Sequence, residues 1–96
     1  MKIWGYDWDD TNLEKISLHG LVAADVEYLF EQGDPYVFRH PSITGRWIAL
    51  GSAPDSRFIL VVFEHDEQTR WVRVVTAFEP DSERYWRLNA KKKNLP

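Results

Sequence analysis

The side chains of this chain that can move protons or hold phosphate are few. Three histidines, His19, His40 and His65, are spread over the sequence. A free imidazole titrates near pH 6.5 and so suits proton transfer at neutral pH. None of the three shows the i, i+3 or i+4 spacing of metal ligands, and with no Cys there is no thiolate site. The reading is of a protein without metal or cofactor. The other chemistry-bearing residues are arginines with nearby acids and tyrosine. Arg46, Arg57, Arg70, Arg73 and Arg84 accompany Glu79 and Tyr85. Such a set, beside an acidic N-terminal lobe, could place an anionic ligand on one face.

Parity orders the later candidates. If residues 70 to 79 form a regular strand, Arg70, Val72, Val74, Thr76 and Phe78 share one face. Arg73 and Glu79 share the other, roughly 20 Å apart, and border one groove. Exposed strand arginines also serve as solvated decoration or cross-strand ion pairs, so each alone is a weak signal. His19 has two uses: a proton-transfer group, or a helix terminator beside Gly20. His40, before Pro41, and His65, at a strand end, read as surface residues.

The elements that must carry these residues follow from periodicity. Residues 2 to 8, KIWGYDW, suggest a first strand weakened by Gly5. Thr11 and Glu14 have capping-box spacing for a short helix that ends at Gly20. Val22, Val26, Leu29 and Phe30 form one apolar helical face, stopped by Gly33-Asp34-Pro35. The period then falls to two. YVFR (36–39), GRWIALG (45–51), RFILVVFEH (57–65) and TRWVRVVTAF (69–78) read as strands. The third is apolar on both faces and belongs in the sheet centre. Pro80 opens a last helix with Asp81 and Glu83 at its positive end, and residues 91 to 96 read as a frayed tail.

The fold expected is α+β in one domain, 1–96: an N-terminal strand, two helices, a three- to four-stranded antiparallel meander and a C-terminal helix. The helices are expected to cover one sheet face. Seven Trp and Tyr side chains (Trp4, Tyr6, Trp8, Trp47, Trp71, Tyr85, Trp86) exceed what so small a core can bury, so some must be partly exposed. The charge is uneven. Residues 1 to 34 hold two basic and eight acidic side chains, and residues 35 to 96 hold ten and seven. No apolar run approaches the roughly 20 residues of a membrane span, and Asp7 interrupts any leader-like segment. A cytoplasmic protein without membrane contact is the expectation.

One pattern goes further. Trp8-Asp9, Asn12, His19-Gly20 and the acidic helix from about Leu21 to Glu31 resemble the start of BrnT, the toxin of BrnT/BrnA toxin–antitoxin systems. RWIALG at 46–51 is similar to that family's Arg-aromatic strand, and FILVVFEHDEQTRWVRVVTA at 58–77 to its central hairpin. The resemblance spans about residues 6 to 88. It implies a RelE-like fold, a metal-independent ribonuclease, and silencing by an antitoxin of ribbon-helix-helix type. Its catalytic candidates here are His19, Arg46, Arg73, Glu79 and Arg84, with Arg57, Arg70 and Tyr85 on RNA. The family has Arg after the Thr76-Ala77 pair; this chain has Phe78, which removes a phosphate-binding fork. Glu83-Arg84-Tyr85 lies out of the family's register. A non-cleaving RNA- or protein-binding module of the same fold is therefore the alternative.

Overall fold

A computed structural model describes residues 1–94. Five strands and three helices follow in the order β1 (Gly5–Tyr6), α1 (Asp10–Ser17), α2 (Ala23–Gln32), β2 (Tyr36–Arg39), β3 (Trp47–Ser52), β4 (Phe58–His65), β5 (Trp71–Phe78) and α3 (Glu83–Asn94). The class is α+β, and β2 to β5 form the antiparallel meander at its full four strands. The sheet order is β1-β5-β4-β3-β2. The first strand is shorter than its sequence suggests and lies parallel to β5, with Gly5 beside Trp71 and Tyr6 beside Val72. The Trp71 ring requires glycine at position 5, where a Cβ would come within 2.6 Å of it.

Two layers of side chains fill the two sheet faces. Ala49, Ile59, Val61, Phe63, Val72, Val74 and Ala77 pack with Ile16, Leu21, Val26 and Leu29 of the α1–α2 region. On the opposite face Ile48, Leu50 and Leu60 pack with Tyr85 and Leu88 of α3. The helices thus cover both faces, not one. Alternation in β3 and β4 requires this: Ile48, Leu50 and Leu60 are as buried as Ala49, Ile59 and Val61, and a sheet with two apolar faces needs two covers. The C-terminal residues differ from expectation too. Helix α3 runs through Lys91 to Asn94, so the frayed tail does not begin at 91; residues 95 and 96 lie outside the described residues.

The start of α1 is also corrected. Asp9 is its cap, accepting from the Asn12 N–H at 3.0 Å, while the Asn12 side chain accepts from the Asp9 N–H at 2.8 Å. The reciprocal pair lies two residues before the Thr11–Glu14 spacing. The Asp9 carboxylate and the Asn12 carboxamide thus each satisfy one amide that the first turn leaves without a helical partner. Gly20 does end this region with φ +72°, the left-handed conformation expected of it. At α2 the Asp25 carboxylate accepts from the Val22 N–H at 3.0 Å.

Strand β5 is not regular. Val62 pairs with Thr76 and the next residue, Phe63, pairs with Val74, so Val75 is an extra residue in a β-bulge. The bulge shifts parity: Val72, Val74 and Ala77 all face α1 and α2.

Candidate acidic groove and the arginine row

Across β3, β4 and β5, beyond the reach of α3, three charged side chains lie in one row on the α3 face. Arg46 stands one residue before β3, two from Ile48 and in its parity; Glu64 follows Val62 in β4, and Arg73 pairs with Glu64 across β5. The Arg46 Nε lies 3.8 Å from a Glu64 oxygen. Arg73 turns the other way. Its guanidinium donates to Asp9 at 2.7 Å and sits 3.4 Å from Asp7. The Asn12 N–H first, then the Arg73 guanidinium, hold the Asp9 carboxyl below its ordinary value, and Asp9 in turn raises Arg73. Beside this row lies a groove of about 490 Å³ lined by Asp7, Glu64, His65, Asp66, Trp71 and Arg73. Three carboxylates against one guanidinium make it acidic, and Trp71, 48 % exposed, forms an apolar wall.

Trp8, Asp9 and Asn12 build this corner. The Trp8 indole N–H donates to Glu27 of α2 at 2.8 Å. Asn12, 2 % exposed, donates its carboxamide to the Asp7 and Val74 carbonyls at 2.9 and 3.1 Å. The N–H groups of Trp4 and Asp7 bond the Arg70 and Val72 carbonyls. Asn12 therefore supplies the next rung after β1 has turned away into α1. A buried carboxamide survives there because each of its polar atoms is paired.

The other sequence candidates go elsewhere. The His19 ring lies against Phe78, centroids 5.7 Å apart, and neither caps the helix nor joins the arginine row. Phe78 pairs with Leu60, four residues of β4 from Glu64, which is roughly 13 Å. Glu79 lies one residue beyond β5 and borders a separate groove with Phe58, Asp81, Glu83 and Trp86, apart from Arg73. Arg57 is a structural clamp: it donates to the Gly20 carbonyl at 2.9 Å and pairs with Asp25 and Asp55. Arg84 lies over the Tyr85 ring at 6.0 Å on α3, while Tyr85 packs inward on the second core layer. Arg70 lies over Trp4 at 5.9 Å. Of the eight candidates, Arg46 and Arg73 flank Glu64, and Arg84 lies on Tyr85.

Glu64 was missed by the sequence reading, although its signal was present: it continues the Leu60–Val62 parity, and the connection at 66–68 brings it opposite Arg73. Asp9 was legible only as part of the Trp8-Asp9 pattern, and Asp7 only as a break in the N-terminal apolar residues. Among the described residues no three His, Asp or Glu side chains are grouped to hold a metal ion, and no helix is long and apolar enough to cross a membrane. No protein-family model and no curated protein matches the chain.

Proposed function

We propose that this chain is a BrnT-like, RelE-fold member of a toxin–antitoxin pair whose sheet corner binds a partner protein. The partner would be an antitoxin of ribbon-helix-helix type, docking a basic segment in the acidic groove. One observation carries this: Arg73, the guanidinium best placed for phosphate, is already satisfied by Asp9 and Asp7 in a groove with a surplus of carboxylates. An anion entering there meets repulsion, whereas Lys or Arg side chains find complementary charge and an exposed indole. The test is titration calorimetry with the product of the adjacent reading frame. Asp7→Asn with Glu64→Gln and Asp66→Asn should weaken the complex at least tenfold and flatten its salt dependence. Unchanged affinity sinks the docking site.

A second reading, metal-independent RNA cleavage, is favoured by the row Arg46–Glu64–Arg73. There a carboxylate able to take a proton stands between two cations. Growth arrest and RNA decay on expression, both abolished by Glu64→Gln alone, would establish that reading over simple binding.

A further inference from the structure

A second groove, of about 380 Å³, meets the acidic one at His65 and has the opposite character. Three cations, Lys2, Arg39 and Arg70, stand in it against one carboxylate, Glu67. That inverts the acidic groove, where Asp7, Glu64 and Asp66 stand against Arg73. The two surpluses are equal and opposite, and both grooves open at the end of the sheet where β2 and β4 finish and β3 and β5 begin. The β4–β5 turn keeps the signs apart. Arg70 donates its backbone N–H to the Asp66 carbonyl at 2.7 Å, yet their side chains part. The Asp66 carboxylate accepts from the Gln68 and Thr69 N–H groups at 2.8 and 3.2 Å. The Arg70 guanidinium carbon lies 5.9 Å from the Trp4 ring centroid, and that of Arg39 lies 4.5 Å from the Trp47 centroid. Among the described residues no carboxylate lies within 4.0 Å of Lys2, Arg39 or Arg70, and no cation lies within that distance of Asp66. Two exposed indoles, Trp4 and Trp71, accompany these charges.

We propose that a second copy of this chain covers both grooves. A two-fold axis running along their boundary at His65 lays the acidic groove of each copy on the basic groove of the other. Every contact then occurs twice, as an isologous interface requires. The unpaired guanidiniums meet the surplus carboxylates, and the indoles supply apolar anchors. A purely basic or purely acidic partner satisfies one groove and leaves the other charged. Only a surface with both signs side by side covers the two together, and this chain carries such a surface. The inference does not rest on the antitoxin reading: it concerns the chain alone, and a basic partner would compete with the second copy for the acidic groove.

The test is sedimentation velocity of the chain alone from about 5 to 500 μM, the range in which a small interface associates. At about 50 mM salt the chain should pass from monomer to dimer across that range. At about 500 mM, where exposed charges are screened, the dissociation constant should rise by about tenfold or more. Arg39→Glu with Arg70→Glu makes both grooves acidic. Asp7→Lys with Asp66→Asn makes both basic, and the new carboxamide keeps an acceptor for the turn. Each double variant alone should stay monomeric. An equimolar mixture of the two should recover the dimer, because opposite signs face each other again. A misfolded variant would not regain a partner on mixing, and circular dichroism verifies folding. Arg84→Glu, the same charge reversal on α3 outside both grooves, should dimerise as wild type does. A wild-type chain monomeric at every concentration overturns the proposal, as does a dimer indifferent to salt or a mixture that stays monomeric. A monomer that binds polylysine and polyglutamate separately would also overturn it, assigning the grooves to two foreign partners.

Discussion

Replacing Asn12 with Ala tests the corner most directly. The substitution removes three hydrogen bonds: from the Asp9 N–H, and to the carbonyls of Asp7 and Val74. At about 1 kcal/mol each they sum to about 3 kcal/mol. The Val74 carbonyl is then left without its partner beneath α1, a burial penalty of about 1–2 kcal/mol more. The expected loss is therefore about 3–5 kcal/mol, a large part of the 5–15 kcal/mol typical of a domain. At about 4–8 °C per kcal/mol for a domain of this size, melting should fall by roughly 12–40 °C. Urea unfolding followed by tryptophan fluorescence would read this as a lower midpoint at constant slope. Thr11→Ala is the control: Thr11 is exposed and its side chain does not cap α1, so the change should stay within about 0.5 kcal/mol. Equal effects from the two substitutions, or a loss below about 1 kcal/mol in Asn12→Ala, would refute the ladder-rung argument.

Asp9 titrates below its ordinary value in the folded chain, so the unfolded chain binds its proton first and stability falls as pH drops through the carboxylate range. Asp9→Asn should make that acid-side decline shallower in urea midpoints measured below pH 5. Tyr6 behaves oppositely: burial, then the charges of Glu31 and Glu27, push its phenol well above 10.0. Its contribution is whole below pH 10 and is lost as pH rises further, so Tyr6→Phe should flatten the alkaline limb. Arg57→Gln should lower stability by about 1 kcal/mol, discounted for partial exposure, because the clamp to Gly20, Asp25 and Asp55 is lost.

Much of the architecture was readable because it rests on periodicity. Val26 and Leu29 are fully buried along the apolar stripe expected of α2, and β4 lies in the middle of the sheet as its two apolar faces require. Trp4, Trp71 and Trp86 are among the large side chains left exposed, as a small core demands. Parity arguments failed at Val75, because a single inserted residue leaves no mark in an otherwise β-branched run. The side of the sheet taken by α3 was implicit in Ile48, Leu50 and Leu60, whose burial cannot be reconciled with one covered face. At the site, charge type was legible and charge pairing was not. Arg46, Arg57 and Arg73 look alike along the chain, yet their carboxylates lie 18, 32 and 64 residues away.

Joining the first strand to the last carries a consequence for synthesis. Residues 4 to 7 and the Asn12 side chain find backbone partners at 70 to 74, 62 residues on in the case of Asn12, so this segment stays unlatched until β5 has been made. Contacts of such long sequence separation slow the search for the native state. While that search lasts, the apolar stripe of α2 stands open to any chaperone or companion chain that reaches it first.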